Sequence, residues 1–212
     1  MLSCSNITVE SNYNVLFKDL GFSLLPGSLL ILRGNNGSGK TTLLKLIAGI
    51  IKPTKGTVSI EHHNEYKLIN YIAHKNALRT ELSVIDNLIF WSELYQTPEL
   101  ILPALMYFGL DDIKDISCCR LSAGWQKKVA LARLIACHSY IWLLDEPENN
   151  LDNSSKELLY TLIDTRVRQG GIVIIASHNN YPIPYNRELF LEDFNPNNDN
   201  VESGLISNSQ KF

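Results

Sequence analysis

No uninterrupted apolar run in this 212-residue chain approaches the roughly 20 residues that a membrane-spanning helix needs. The longest runs, such as IVIIA at 172–176, have the length of a buried strand. The N-terminus, MLSCSNITVE, lacks a basic region followed by an apolar stretch, so we expect no signal peptide. The sequence therefore predicts a protein that does not cross a membrane by itself.

Clustered positive charge is also missing. The formal net charge is −3, and the sequence contains no long Lys/Arg block. Because binding along a nucleic acid needs clustered cations, we expect no nucleic-acid partner. The apolar fraction of 45% and the charged fraction of 19% are those of a globular protein, and the length allows one domain with a proper core.

The sequence has four cysteines, and their spacing matches neither a redox motif nor a metal site. Cys4, Cys118, Cys119 and Cys137 form no CxxC pair, and no His or Cys stands at metal-site spacing from the adjacent pair at 118–119. We interpret all four side chains as reduced, mostly buried thiols of a cytosolic protein.

Strands and helices alternate along most of the chain. Early strand candidates are ITVE, FSLL and SLLILR, followed by a helix, TLLKLIAGI, that we expect to end at Pro53. TVSI and KLINYIA are further strand candidates, and YIWLLDEP, GGIVIIASH and RELFLEDF follow later with a helix between the first two. This alternation predicts an α/β fold with a mainly parallel core sheet.

One domain is predicted over residues 1–194. Within it, residues from about 83 to 137 have helical patterns, which we interpret as a helical subdomain with Ser83 and Ser122 as helix N-caps. The last segment, 195–212, is polar and is predicted to be disordered.

A phosphate-binding loop stands between a predicted strand and a predicted helix. Its sequence GNNGSGKT matches GxxxxGK[ST] in full. The glycines let backbone amides point at a β-phosphate, Lys40 adds a cation, and the Thr41 hydroxyl ligates Mg²⁺. An ordinary glycine-rich turn is the alternative, which the flanking elements disfavour. The predicted nucleotide-binding residues are Gly34, Asn35, Asn36, Gly37, Ser38, Gly39, Lys40, Thr41 and Thr42.

Two adjacent acids follow the predicted buried strand at 141–144. Because side chains alternate along a strand, Asp145 and Glu146 should have different tasks. We predict that Asp145 holds the Mg²⁺ of ATP and that Glu146 polarises the attacking water as a general base.

The hexamer LSAGWQ at 121–126 resembles the LSGGQ signature of ABC ATPases. Small residues at a helix N-terminus leave backbone amides free for an anion. Alone, the hexamer fits a plain N-capped helix equally well, but its place between the phosphate loop and Asp145 favours the signature. The resemblance implies that Ser122, Ala123 and Gly124 cap the γ-phosphate of ATP held by a second subunit.

Further motifs of the same family follow in the expected order. NNLD at 149–152 is similar to the D-loop, and Ser177-His178 after a buried strand matches the switch histidine. The resemblance implies Lys40, Glu146 and His178 as catalytic residues. It also implies an aromatic on adenine, Tyr13 or, in competition, Phe17, although either could simply be core. The implied fold is that of ABC-type P-loop NTPases, with an antiparallel β subdomain and a helical signature subdomain.

Lys75 departs from the family pattern, because it stands where many relatives have the Q-loop glutamine. A glutamine offers a carbonyl to Mg²⁺, whereas an ammonium has no acceptor and is repelled by the metal. We predict that hydrolysis survives but is slower or more dependent on a partner. Ala123 in place of a signature glycine keeps the close approach, while Trp125 puts the usual glutamine contacts to the partner's nucleotide in doubt.

Short segments are similar to one subfamily, the haem-exporter ATP-binding subunits of cytochrome c maturation. They are LRTELS at 78–83, LSAG at 121–124, VALARL at 129–134 and QGGIVI at 169–174. The resemblance implies an ATPase subunit that uses ATP with Mg²⁺ and powers an integral membrane permease from the cytoplasmic face of the inner membrane. It also implies a homodimer, because the signature helix lies too far from its own phosphate loop to complete that site.

Three other functions stay open at this point. Another ABC transporter, for a drug or a lipid, would carry the same motifs. A soluble ABC protein acting on ribosomes or DNA usually has two ATPase domains or a long coiled coil, and this sequence has neither. A phosphate-loop kinase or GTPase would have no use for the signature and the D-loop.

Overall fold

The computed structural model describes residues 1–11, 14–61, 69–184 and 186–196. The strands are β1 (Leu2–Ser11), β2 (Asn14–Leu24), β3 (Leu29–Arg33), β4 (Lys55–Ile60), β5 (Ile69–Ile72), β6 (Ile141–Asp145), β7 (Ile172–Ala176) and β8 (Asn186–Phe190). The α-helices are α1 (Lys40–Ile47), α2 (Val84–Tyr95), α3 (Ile101–Tyr107), α4 (Ala123–Ala136) and α5 (Asn153–Arg168). Short 3₁₀ turns lie at Pro98–Leu100, Asp111–Ile113, Cys118–Arg120 and Leu191–Phe194.

Two sheets organise the chain. The central sheet has the order β5-β6-β7-β3-β8, and every neighbouring pair in it is parallel. The second sheet has the order β2-β1-β4, and both of its pairs are antiparallel. These sheets confirm the predicted fold class of a parallel core with an antiparallel β subdomain.

The central strands are apolar throughout because both faces of the sheet are covered. Along β6, Trp142 and Leu144 join the core that packs under the helices α2 to α5. Ile141 and Leu143 point the other way, into the core shared with α1 and the antiparallel sheet. This period of two is the geometry of a strand buried on both sides.

The helical part between the sheet strands consists of α2, α3 and α4, which pack on one another. The Ser83 hydroxyl accepts from the Asp86 amide at 3.1 Å, and the Ser122 hydroxyl accepts from the Trp125 amide at 3.4 Å, so both predicted N-caps are confirmed. The subdomain limits of about 83–137 and the domain limits of 1–194 stay predictions. Residues 197–212 of the predicted tail lie outside the described residues.

Buried Arg133 ties α4 to the end of β5. Its guanidinium lies 3.8 Å from the centre of the Trp91 ring and donates to the carbonyls of Tyr71 and Asn76 at 3.3 and 3.4 Å. Burial lowers the pKa of Arg133 to about 10. The segment after β5, which carries Lys75, is therefore attached to the helix that begins at the signature.

Three expectations about the elements need correction. Helix α1 ends at Ile47 and not at Pro53, because Gly49 takes a positive φ of 73° and the Ile50 amide turns back to the Lys45 carbonyl. The predicted strand RELFLEDF ends at Phe190, and its second half is a 3₁₀ turn. The strands ITVE and FSLL are the ends of much longer strands, β1 and β2.

The cysteines and the helix lengths can be compared with the predictions. All four cysteines are free, and Cys4, Cys118 and Cys137 are buried while Cys119 is exposed. None of the helices in the described ranges has the length and apolar character that spanning a membrane requires.

Asp152 caps helix α5, and this cap makes stability depend on pH. Its Oδ1 accepts from the Ser155 amide at 2.7 Å and from the Ser154 hydroxyl at 2.9 Å. These hydrogen bonds lower the pKa of Asp152 from 3.8 to about 2. The cap therefore stabilises the folded state fully above the unfolded pKa, and this contribution is lost as the pH falls through the folded pKa.

We expect Asp152→Asn, which keeps a capping oxygen but cannot titrate, to flatten the pH dependence of the free energy of unfolding between about pH 5 and pH 2. Urea denaturation of both proteins across this range measures the effect. Identical slopes would contradict the assignment of the cap.

Candidate functional site

The predicted motifs meet at one edge of the central sheet. Because β3, β5, β6 and β7 are parallel, their carboxyl ends lie on the same side, where open α/β sheets bind ligands. Strand β3 leads into the phosphate loop, β6 ends at Asp145, and β7 leads into Ser177 and His178. The register pairs Asp145 with Ala176, and the Glu146 amide donates to the Ala176 carbonyl at 2.9 Å.

The phosphate loop wraps around the side chain of Lys40, the first residue of α1. The Lys40 ammonium donates to the carbonyls of Gly34 and Asn35 at 2.5 and 3.1 Å. A cleft of about 280 Å³ opens over the loop, and its lining consists of Leu16, Asn36, Gly37, Gly39, Lys40, Thr41, Thr42, Asp145 and Glu146. Most of the predicted nucleotide-binding residues and two predicted acids thus share one cleft.

Thr41 and Asp145 form the candidate Mg²⁺ site. The Thr41 hydroxyl donates to Asp145 Oδ2 at 2.8 Å, and Asp145 is only 3% exposed. Both groups present oxygen donors, which Mg²⁺ prefers, and the ion usually takes its remaining ligands from phosphates and water. Within the described ranges no three His, Cys, Asp or Glu side chains cluster as a metal centre.

Glu146 and His178 lie beside Lys40. His178 Nε2 is 3.3 Å from Lys40 Nζ and 4.0 Å from Glu146 Oε1. The other carboxylate oxygen of Glu146 accepts from Asn149 Nδ2 at 2.5 Å and lies 3.9 Å from His74 Nδ1. Glu146 also takes a positive φ of 46°, a conformation that L-residues rarely adopt and that turns its side chain away from the line of the strand. The three predicted catalytic residues are therefore brought together.

The chain segment after β8 reaches back to the phosphate loop. Glu192 Oε1, in the 3₁₀ turn, accepts from the Asn35 amide at 2.6 Å. Arg33, at the end of β3, forms an ion pair of 2.7 Å with Glu188 and donates to the carbonyls of Ser177 and Asn179. Sequence reasoning missed these contacts, because single polar residues in an apolar strand pattern carry no local signal for a partner about 150 positions away.

The signature residues line a second cleft. Its volume is about 300 Å³, and its lining consists of Ser122, Gly124, Trp125, Lys128, Asn150 and Asp152. A Cβ on Gly124 would lie 2.8 Å from the Asn150 carbonyl oxygen, so the signature and the D-loop touch at a position that only glycine can occupy. In the described part of the chain the two clefts share no lining residue.

Trp125, at the position where the signature often has glutamine, packs against a cation. Lys128 Nζ lies 4.4 Å from the centre of the Trp125 ring and 3.8 Å from Asp152 Oδ2. Such a stack holds the indole in place at about 0.5–1 kcal/mol when exposed. The Trp125 side chain is thus fixed on the wall of the second cleft.

One candidate for adenine stacking is excluded. Phe17 is fully buried, and its ring would lie 3.0 Å from a Cβ on Gly39, so it is packed under the phosphate loop. Tyr13, the predicted residue, lies outside the described residues. Leu16 is the apolar side chain that lines the cleft itself.

Lys75 does not take over the glutamine's place beside Glu146. Its side chain is exposed, whereas the neighbouring His74 brings an imidazole nitrogen to within 3.9 Å of the Glu146 carboxylate. At this turn the His74 imidazole, and not the Lys75 side chain, is therefore the group that lies near the candidate base.

Comparison with known proteins defines the class. A family model described as ABC transporter matches residues 17–149, which is more than half of the chain. The chain therefore belongs to the ABC transporter family, and it is an ATPase of this class.

Two similar proteins share one name, which indicates a subfamily within the ABC transporter family. The chain is 42% identical to a protein named cytochrome c biogenesis ATP-binding export protein CcmA from Rickettsia felis, over 84% of this chain and 93% of the relative. The protein of the same name from Bartonella henselae is 36% identical over 95% of this chain and its whole length. The predicted resemblance to the subunits of cytochrome c maturation is confirmed.

Solved structures share the fold. A putative ABC transporter ATP-binding protein from Pyrococcus furiosus has a TM-score of 0.79 at 26% identity, with 92% of this chain and 98% of that chain covered. The ATP-binding cassette MJ0796, solved as a dimer in a post-hydrolysis state bound to ADP and Pi, has a TM-score of 0.76 at 24% identity, with 90% and 94% covered.

Because Lys75 is an exposed cation without an acceptor at the position of the Q-loop glutamine, we expect Lys75→Gln to raise the steady-state ATPase rate about threefold or more, which is ~0.7 kcal/mol of barrier. The measurement is phosphate release by the full-length chain at saturating Mg-ATP. Lys55→Gln, at an exposed position on β4 away from both clefts, controls for the loss of one positive charge. An unchanged rate in Lys75→Gln would contradict the hypothesis.

Proposed function

We propose that this chain is the ATP-hydrolysing subunit of an export complex that serves the biogenesis of c-type cytochromes, as a member of the haem-exporter type. The observation that carries the proposal is the 42% identity, over nearly the whole of both chains, to proteins named for cytochrome c biogenesis and ATP-binding export. A complete phosphate loop, the acid pair and a signature that departs only at Ala123 and Trp125 support an active ATPase and argue against a degenerate relative.

Hydrolysis would use the side chains around Lys40. The Lys40 ammonium neutralises phosphate charge in the cleft, and Glu146 orients and deprotonates the attacking water. His178 reaches toward both groups and stabilises the γ-phosphate. Thr41 and Asp145 would hold Mg²⁺, which neutralises charge on the phosphates when it is bound. His178 Nε2 and Glu146 Oε1 are 4.0 Å apart, so both side chains face the space beside Lys40.

The active form would be a homodimer. The phosphate cleft is open, and the signature cleft lies on other elements, so one chain presents two half-sites. Two copies arranged head to tail place Ser122 and Gly124 of one chain over the phosphate loop of the other, where the helix N-terminus favours an anion. ATP then shifts the population toward the closed dimer, and hydrolysis reverses the shift.

A membrane permease would dock on the helical part, at the cytoplasmic face of the inner membrane. Helix α2 exposes Phe90 and Leu94, and α3 exposes Leu102 and Met106, at 38%, 46%, 62% and 64%. Each pair has the spacing i, i+4, which places its members side by side on one helix face. Contiguous exposed apolar side chains favour a protein contact.

Glu146→Gln tests the proposed base and the dimer together. We expect it to bind ATP normally and to hydrolyse it about 10²-fold or more slowly, because the amide cannot accept the proton. With Mg-ATP the variant should elute as a dimer in size-exclusion chromatography, while Lys40→Ala should bind no ATP and elute as a monomer. Normal turnover in Glu146→Gln would show that another group is the base.

A strain that lacks this gene tests the biological role. We expect it to lose covalent haem attachment to its c-type cytochromes, and we expect the wild-type chain to restore it and Lys40→Ala not to. Haem-stained gels of membrane proteins provide the measurement. Normal haem attachment in the deletion strain would contradict the proposed role and leave the ATPase standing.

The docking face is tested in the same strain with matched variants. Leu102→Asp should fail to restore haem attachment and should lose its membrane partner in a pull-down, because it introduces a charge into an apolar contact. Leu25→Asp is the control, since Leu25 is 61% exposed and lies at the end of the antiparallel sheet. Equal behaviour of the two variants would overturn the assignment of this face.

A further inference from the structure

Glu148 is a fully enclosed acid that the hydrolysis chemistry above does not use. It lies two positions after Glu146, in the segment between β6 and the D-loop, and is 2% exposed. A carboxylate that deep inside a protein is costly unless its oxygens are hydrogen-bonded. Its partners therefore indicate what it holds in place.

Among the described residues, every hydrogen bond to the Glu148 carboxylate comes from one segment, 177–181. Glu148 Oε1 accepts from the Ser177 hydroxyl and from Asn179 Nδ2, the latter at 2.8 Å. Glu148 Oε2 accepts from the Tyr181 hydroxyl at 2.6 Å. The Ser177 oxygen in turn accepts from the Asn179 amide at 2.9 Å, which closes a tight turn around position 178.

The opposite side of the same segment is held by Arg33. Its Nη1 donates to the carbonyls of Ser177 and Asn179 at 2.9 and 2.7 Å. The residues on both sides of His178 are thus fixed through their backbones and through their side chains. His178 itself is directed out of this clamp, with its side chain 51% exposed and its Nε2 3.3 Å from Lys40 Nζ.

The signature helix α4 carries a buried cation, Lys127, that interacts electrostatically with the Glu148 carboxylate. Lys127 of α4 is 2% exposed, and burial lowers its pKa, while the carboxylates of Glu148, Asp145 and Glu146 act in the opposite direction, with Glu148 the strongest. Replacement of the Glu148 carboxylate therefore removes the main group that compensates for the buried ammonium on the helix that begins at Ser122.

We propose that Glu148 is a positioning residue for ATP hydrolysis, which holds segment 177–181 so that the His178 imidazole lies against Lys40 and Glu146. The proposal rests on the ATPase function and on the role given to His178. It assigns a task to a position that none of the recognised motifs includes. Glu148 acts through the histidine and does not touch the reacting atoms.

Three variants weaken the clamp by different amounts. Glu148→Gln keeps the shape but replaces one acceptor with a donor, Tyr181→Phe removes a single hydrogen bond, and Glu148→Ala removes all of them. We expect kcat to fall about fivefold to fiftyfold in Glu148→Gln and less in Tyr181→Phe, with KM for ATP nearly unchanged, because the phosphate loop is intact. The milder variants keep the test valid if Glu148→Ala does not fold.

Tyr107→Phe is the matched control. Tyr107 also donates its hydroxyl to a single acceptor, the Leu158 carbonyl at 2.9 Å, at the contact of α3 with α5. We expect it to lower the melting temperature about as much as Tyr181→Phe does and to leave kcat unchanged. A comparable fall of kcat in both variants would show a general loss of stability and would overturn the proposal.

The deciding measurement is a double-mutant cycle with His178→Ala. If Glu148 acts through the histidine, Glu148→Gln should lower kcat in the wild type and have no further effect in the His178→Ala background. Effects that multiply in the double variant, or an unchanged kcat in Glu148→Gln, would overturn the proposal. An unchanged kcat in His178→Ala would overturn both the proposal for Glu148 and the role of the histidine. Hydrolysis of ATP by the wild type and by Tyr107→Phe would still confirm that the chain is an ATPase.

Discussion

The parallel hydrogen bonding of β3, β7 and β6 is the constraint on which the site depends. The ladder places Leu32 and Asp145 on either side of Ala176, so three chain segments leave the sheet at the same level. Each of those segments carries one part of the chemistry: a lysine, an acid pair and a histidine. A slip of the register by one residue would turn every strand side chain to the opposite face and separate these groups.

Much of this arrangement was predictable from the sequence, for a physical reason. A phosphate loop needs glycines and a lysine at fixed spacing, and a buried parallel strand needs an unbroken apolar run before its acids. Those demands are local, and therefore 34–41, Asp145 and Ser177-His178 could be recognised within short segments. The caps at Ser83 and Ser122 were predictable for the same reason, since a cap acts over three residues.

The supporting contacts were not predictable, because they join residues that are far apart in the chain. The bonds of Glu192 to the Asn35 amide and of Arg33 to segment 177–181 span more than a hundred positions, and neither Glu192 nor Arg33 belongs to a motif. The predicted end of α1 at Pro53 is wrong because Gly49, with its positive φ, ends the helix before the proline is reached. Strands β1 and β2 are longer than predicted because one face of an antiparallel sheet tolerates polar residues, which interrupt the apolar pattern.

The fold also shows how the turn that carries Lys75 is held in place. The turn after β5 is attached to α4 by Arg133, which bonds to the Tyr71 and Asn76 carbonyls on both sides of it. This turn therefore cannot change its position independently of the signature helix. Both Lys75 and His74 are exposed on this turn, and only the imidazole of His74 comes within 4 Å of the Glu146 carboxylate.

The contact of Gly124 with the Asn150 carbonyl has a mechanical consequence. With no side chain between them, the first turn of α4 and the loop before α5 lie in direct backbone contact, so neither can come closer to the other. A movement of α4 toward this loop would therefore displace the loop and, with it, the start of α5. Even a single added methyl group at position 124 would hold the two segments apart.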